Sequence, residues 1–234
     1  MENLEGRRVL VSGGTAGIGY ATAARLAAGG ASVFVIGTNA ARVEAARSKL
    51  GIFGAVCDVR DAEACAKVAE QAAQKMGGID ALVNCAGVGT IASFADMAPE
   101  DWRNMIDTNV TGTFNTCKAA LPWLKKSPRP DIVNLGSRAG RYAFAGGTGY
   151  CASKFAIQGF SEALFLDLSE FGVGVSLVAP GTVATGFAGV EAEPWHLRPE
   201  DVAEAILHCL TSHRGANLNW IELRPSRRTF EEPG

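Results

Sequence analysis

The chain has 234 residues, 47% of them apolar and 20% charged, with 22 basic against 24 acidic side chains. That composition excludes full-length disorder, and the near-even charge gives no electrostatic reason to expect nucleic acid or an anionic membrane as partner. Glycine occupies 28 positions without a G-X-Y period, so collagen is excluded and many close backbone approaches are expected instead.

Short β-rich runs alternate with longer helical patterns. Val9–Val11 reads as a buried strand, followed by a glycine loop and a helix over Tyr20–Ala28. Val33–Ile36 is the second strand, with an Ala/Arg/Glu helix over Ala40–Leu50 behind it. Ala55–Cys57 is the third, with a helix over Ala62–Met76, and Ala81–Val83 the fourth. Helices are expected near Pro99–Ile106 and Gly112–Leu124, and a fifth strand over Ile132–Leu135. A long helix is expected over Thr148–Glu170, a sixth strand over Val173–Val178, a helix over Pro199–Leu210 and a last strand over Trp220–Leu223. Strands that are apolar throughout need cover on both faces, which the intervening helices supply. The expected fold is therefore α/β, a doubly wound parallel sheet of about seven strands. No composition break divides the chain, so residues 1–234 read as one domain, with a mobile tail over 225–234.

The window Val173–Val190 carries no charge, but Pro180-Gly181 interrupts it, so it reads as a strand and loop rather than a membrane span. The polar start, Met1 to Arg8, has no apolar core of a secretory signal. Cysteines stand at 57, 65, 85, 117, 151 and 209 with no C-x-x-C pair and no zinc spacing, so no metal is expected. Reduced thiols and a cytoplasmic location follow. His208, Cys209 and His213 read as an amphipathic helix end.

The loop Ser12-Gly13-Gly14-Thr15-Ala16-Gly17-Ile18-Gly19 joins the first strand to the first helix. A helix N-terminus offers unpaired N–H groups to a pyrophosphate, and glycines let phosphate approach without a Cβ in the way. The spacing is G-x-x-x-G-x-G with no G-K-[ST], so a P-loop is disfavoured. The second strand ends Ile36-Gly37-Thr38-Asn39, without the acid that would hold a ribose 2′-hydroxyl. Thr38, with Arg42 close in sequence, favours NADP, and NAD stays possible.

Tyr150 and Lys154 lie one helical turn apart and so share a helix face. Ser137 stands 13 residues earlier, just past the fifth strand, and Asn84-Cys85-Ala86-Gly87 ends the fourth. Both fall at the carboxyl edge of the sheet, where ligands bind in such folds.

In this order the motifs resemble those of the short-chain dehydrogenase/reductase family over roughly residues 5 to 185. Ser12-Gly13 with Gly17 and Gly19 resembles T-G-x-x-x-G-x-G, with Ser for Thr; Cys57-Asp58-Val59 contains the D-V pair; Asn84 to Gly87 resembles N-N-A-G, with Cys85 for the second Asn. Asn109 to Gly112 resembles N-x-x-G, Gly136-Ser137 the serine position, Tyr150 to Lys154 the Y-x-x-x-K motif, and Pro180-Gly181 with Thr185 the P-G-x-x-x-T segment. The resemblance implies a single-domain Rossmann fold and a catalytic tetrad of Asn109, Ser137, Tyr150 and Lys154. It implies cofactor contacts from Ser12, Gly13, Thr15, Gly17, Ile18, Gly19 and Thr38. It implies others from Asp58, Val59, Asn84, Ala86 and Gly87, then Tyr150 and Lys154, and Pro180, Gly181, Val183 and Thr185. By it, Asp58-Val59 lies beside adenine, Ser137 binds the substrate oxygen, Lys154 holds the nicotinamide ribose, and Asn109 anchors a water.

The expected activity is NAD(P)-dependent interconversion of an alcohol and a carbonyl with Tyr150 as acid/base. An ammonium at Lys154 would favour its phenolate. The alternatives are a nucleotide-binding regulator of the same fold without turnover, and a Rossmann-like methyltransferase; neither explains the whole tetrad. A serine hydrolase fails because Leu135 to Ala139 is not G-x-S-x-G. Ala16 and Thr38 stand where NADP-using relatives often carry basic residues, which weakens the NADP preference.

The expected partners are a small carbonyl or alcohol substrate and further copies of the chain, as homodimer or homotetramer. Phe155, Ile157, Phe160, Leu164, Phe165 and Leu168 are apolar on more than one helix face, through core packing or a subunit interface. Residues 186–198 form a short substrate lid. Tyr142, Phe144, Cys151, Phe187, Trp195 and His196 are expected near the pocket. Arg138 and Arg141 either meet an acidic substrate or are solvated.

Overall fold

The computed structural model describes residues 4–213 and 215–226. Residues 227–234 of the expected mobile tail lie outside the described residues.

Strand β1 (Arg8–Ser12) shows how the sheet is covered. Val9 and Val11 face one side and Leu10 the other, and all three are buried. The same alternation holds in β2 (Ser32–Gly37), β4 (Ala81–Asn84), β5 (Asp131–Leu135) and β6 (Gly174–Pro180). Two cores result. On one face Leu10, Phe34, Leu82, Ile132 and Val175 pack against α3 (Ala62–Met76), α5 (Gly112–Leu124) and α6 (Thr148–Leu168). On the other face Val11, Val35, Val83, Val133 and Val178 pack against α1 (Gly17–Ala28), α2 (Ala40–Leu50) and α7 (Pro199–Thr211).

With β3 (Phe53–Val56) and β7 (Trp220–Leu223), the sheet runs β3-β2-β1-β4-β5-β6-β7, and every neighbouring pair is parallel. This is the expected doubly wound Rossmann arrangement. The order reverses between β1 and β4, so the crevice for a ligand opens at the carboxyl ends of those two strands. Strand β3 is displaced from the expected Ala55–Cys57. It is an edge strand bonded only to β2, with Phe53 and Val56 exposed, and the apolar run from Ile52 to Cys57 is longer than the strand and does not mark its ends.

Most helices carry their own stop and start signals. Asn39 Oδ1 accepts from Arg42 N at 2.9 Å at the start of α2, and Asp61 Oδ1 from Ala64 N at 2.9 Å at the start of α3. Pro99 opens α4 (Pro99–Ile106) and Pro199 opens α7, where Asp201 Oδ2 also accepts from Arg198 N. Helices α1 and α6 differ: their N-caps are Ala16 and Gly147, no side chain caps either, and neither first turn holds an acid.

Two departures from the expected elements bear on the site. Helices α4 and α5 are not separate; a π-helical turn over Asp107–Thr111 joins them and carries Asn109. Helix α1 begins three residues earlier than expected, at Gly17, so the glycine loop runs straight into its first turn. The uncharged window from Val173 becomes β6 and the loop after it. Among the described residues no helix is long and apolar enough to cross a membrane, and no group of His, Cys, Asp and Glu is placed to hold a metal ion.

Candidate active site

A cavity of about 810 Å³ opens along the carboxyl ends of the strands. Its floor is the loop between β1 and α1. Gly13 has φ +64°, and a Cβ there would lie 2.6 Å from the Ala86 amide nitrogen; a Cβ at Gly19 would lie 2.3 Å from the Gly13 carbonyl oxygen. Only glycines allow this packing of loop, helix and β4 end. The amides at the start of α1 are left without side-chain acceptors, facing the cavity across Ala16, Gly17 and Ile18. Such a terminus fits a pyrophosphate.

One end of the cavity is lined by Thr15, Thr38, Asp58 and Val59. Arg60 joins them, a residue the sequence reading did not single out. Its Nε donates to both Asp58 oxygens at 3.0 Å, and its guanidinium also reaches Asn104 on α4. Hydrogen bonding from Arg60 holds the Asp58 carboxyl below the usual carboxylate range, against the opposing effect of burial. The Arg42 side chain does not line this end; its backbone amide serves the α2 cap.

The other end is lined by Ser137, Tyr150, Lys154, Pro180, Gly181, Val183 and Thr185, with Ala86 and Gly87 between the two ends. Ser137 follows β5 and Tyr150 and Lys154 share a face of α6, so sheet edge and helix turn bring the three together. Burial raises the Tyr150 phenol above its ordinary value, and a hydrogen bond with Ser137 pulls the other way. Burial pushes the Lys154 ammonium down to about 8, opposed by Cys85. Lys154 Nζ donates to the Leu135 carbonyl at 2.8 Å and stands 5.8 Å from the centre of the Tyr150 ring.

The Lys154 ammonium is turned to a backbone carbonyl, and burial acts against its charge.

Three expected site residues stand behind the cavity wall rather than in it. Ser12 Oγ donates to Asn84 Oδ1 at 3.2 Å and accepts from the Ala86 amide at 3.3 Å. Asn84 is buried. Its Oδ1 also accepts from Thr116, and its Nδ2 donates to Asn134 Oδ1 at 2.9 Å. Asn109 is 1% exposed. Its Oδ1 accepts from Val88 N at 2.8 Å, and its Nδ2 donates to Val88 O and Ser153 Oγ, each at 2.9 Å. Ser153 in turn donates to the Tyr150 carbonyl at 2.8 Å. Asn109 thus ties the chain after β4 to the helix that carries Tyr150. All three side chains bond to buried backbone and neighbours, and none is among the residues lining the cavity.

Of the residues expected around the substrate, Tyr142, Phe144 and Phe187 line the cavity. Cys151 is buried in α6. Trp195 and His196 brace the lid from outside: Trp195 Nε1 donates to Glu193 Oε2 at 2.6 Å, His196 Nδ1 accepts from Glu193 N at 3.1 Å, and the two rings meet edge-on.

Comparison with known proteins agrees with this architecture. The family described as short chain dehydrogenase matches residues 7–194. Sulfoacetaldehyde reductase 2 of Chromohalobacter salexigens is 35% identical over 240 residues, covering 95% of this chain and 95% of that protein. The closed form of a serine dehydrogenase complexed with NADP+ superposes with a TM-score of 0.89 at 31% identity, covering 97% of this chain and 98% of the other. A short chain dehydrogenase from Burkholderia cenocepacia J2315 in complex with NADP gives a TM-score of 0.86 at 29% identity, covering 95% and 98%. The chain belongs to the short-chain dehydrogenase family and is a nicotinamide-dependent oxidoreductase.

Proposed function

We propose that the protein interconverts an alcohol and a carbonyl compound, with Tyr150 as acid/base and NADP preferred over NAD. The observation that carries this reading is the placement of Ser137, Tyr150 and Lys154 together in the same cavity as an uncapped helix N-terminus. A bound nicotinamide supplies or accepts the hydride at the substrate carbon. Ser137 and Tyr150 hold the substrate oxygen, and Tyr150 gives it a proton during reduction. Burial, which raises the Tyr150 phenol, suits that direction. Lys154 holds the ribose beside it and replenishes the phenolic proton, and Asn109 positions α6 through Ser153.

The NADP preference rests on the missing acid after β2, on Thr38 and Thr15 facing the cavity, and on the two NADP complexes among the structural neighbours. The glycine loop, Asp58, Val59 and the segment from Pro180 to Thr185 complete the cofactor site. The substrate is a small carbonyl or alcohol; relatives are named for sulfoacetaldehyde and serine. We further assign a cytoplasmic location, which suits six unpaired cysteines, and a homo-oligomer joined through α5 and α6.

Tyr150→Phe tests the reading. NADPH consumption across a panel of aldehydes and ketones falls by about 10²–10⁴-fold, while NADPH still binds. Activity surviving within a few fold would remove Tyr150 from its role. Tight NADPH binding with no turnover in the wild type would favour the non-catalytic regulator.

A further inference from the structure

One wall of the cavity carries charge that hydride transfer does not use. Arg138 follows Ser137 in the chain and lines the cavity beside Tyr142. Its guanidinium lies 5.0 Å from the centre of the Tyr142 ring, and those of Arg224 and Arg141 lie 5.5 and 5.6 Å from the same centre. A single carboxylate answers the three. Glu222 on β7 lies 3.4 Å from Arg138 Nε and pairs with Arg224 as well. Among the described residues no carboxylate lies within ion-pair distance of Arg141, and the lid acid Glu193 is turned to Trp195. Arg138 Nε is screened from water and makes no hydrogen bond. Of the three only Arg138 lines the cavity; with Arg141 and Arg224 around Tyr142 against one carboxylate, the cluster carries a net positive charge of two.

A guanidinium stacked on a ring presents its N–H edges sideways, where they can fork onto the oxygens of an oxyacid. Arg138 lines the same cavity as Ser137 and Tyr150, so an oxyacid held by Arg138 and a substrate oxygen held by Ser137 and Tyr150 share one cavity. The cavity lining also holds apolar Ile91, Phe144, Phe187 and Val190, together with the hydroxyl side chains of Thr182 and Thr185.

We infer that the substrate is a short aldehyde or ketone, or the matching alcohol, bearing a carboxylate or sulfonate a few bonds from the reacting carbon. Arg138 binds that anion, and Arg141 and Arg224 strengthen the field around it. This assignment rests on the oxidoreductase reading of the site. In reduction the hydride goes to the carbonyl carbon and the Tyr150 proton to the oxygen; the acid group keeps its charge throughout.

The test compares 4-oxobutanoate with its neutral methyl ester, using NADPH. The wild type favours the anion by at least about tenfold in kcat/KM, the size expected for one charge-assisted contact, and added KCl erodes that preference without touching the ester. Arg138→Met removes the preference through KM and leaves the ester within about twofold. Glu222→Gln frees Arg138 and Arg224 and lowers KM for the anion, a gain that a merely structural pair does not predict. Equal use of both substrates by the wild type, or equal loss of both in Arg138→Met with no salt dependence and no gain in Glu222→Gln, overturns the assignment. Succinate, read by its effect on the fluorescence of bound NADPH, separates this from the parent reading. If neither aldehyde is reduced but succinate binds the wild type and not Arg138→Met, the oxidoreductase reading fails and the anion site stands. If the ester is reduced and succinate has no effect, the anion site fails and the reading stands.

Discussion

The Phe187 ring lies against Tyr150, with centroids 5.6 Å apart and planes inclined at 53°. It is wedged there from the other side: a Cβ at Gly89 would come within 2.6 Å of Phe187 Cε1. Phe187, in the segment after β6, therefore supplies part of the burial that raises the Tyr150 phenol. Phe187→Ala admits water, and the Tyr150 ionisation moves down. Reduction needs the protonated phenol, so activity that falls as pH rises falls at a lower pH in the variant. The pH profile of kcat/KM measures this, and an unshifted high-pH limb would show that Phe187 does not set the environment of Tyr150.

Lys154 makes a second pH-dependent statement, through stability. Its folded pKa is about 8, below the ordinary 10.5. Between those values the unfolded chain binds more protons than the folded one, so stability rises with pH through that window. Below pH 8 the buried ammonium is a full liability. Lys154→Met removes it at the cost of an unmet Leu135 carbonyl, a net gain of ~2 kcal/mol at pH 7 that fades by about pH 10. Urea unfolding at the two pH values checks the gain, while turnover is lost at both.

If NADP is preferred as proposed, cofactor choice turns on Gly37 and Thr15. An acid after β2 would select NAD, but a Cβ at Gly37 would stand 2.8 Å from Thr15 Oγ1. Gly37→Asp alone therefore loses affinity for both cofactors. Thr15→Ala with Gly37→Asp removes the crowding atoms and shifts the ratio of kcat/KM values toward NAD by at least about tenfold. Initial rates with each cofactor measure the ratio; a double variant that still prefers NADP would place recognition of the 2′-phosphate elsewhere.

Helices α5 and α6 expose Phe114, Phe155 and Leu166, at 51%, 47% and 67%. Large exposed apolar side chains gathered on two neighbouring helices suit burial against a second copy. Light scattering of the wild type gives a mass at least twice 24.4 kDa. Phe155→Glu with Leu166→Glu lowers it toward the single-chain value. A wild type that already elutes as one chain would remove the interface.

The sheet was legible because its central strands are covered on both faces and so read as unbroken apolar runs. The edge strand β3, half exposed, was legible only to within a few residues. Ser137, Tyr150 and Lys154 were legible because one strand end and one helix turn fix their relation locally. Ser12, Asn84 and Asn109 share motif positions with ligand-facing residues, yet they turn inward to satisfy one another and nearby backbone. That distinction depends on partners far along the chain, such as Thr116, Asn134 and Ser153. The π-helical turn that aims Asn109 leaves no compositional trace. Arg60 was missed for a related reason: its role follows from the fork onto Asp58, and an arginine after a strand is otherwise an ordinary solvated residue.

The uncapped start of α1 has a consequence for the life of the protein outside any catalytic cycle. Neighbouring helices satisfy their first amides with Asn39, Asp61 or Asp201, whereas α1 leaves that task to whatever anion occupies the loop. A dinucleotide there acts as a removable cap, and by mass action it adds RT ln(1 + [L]/Kd) to the folding free energy, about 2.7 kcal/mol at a hundredfold excess over Kd. Stability of the folded chain thereby rises with the concentration of free dinucleotide, which a thermal unfolding series at increasing cofactor measures.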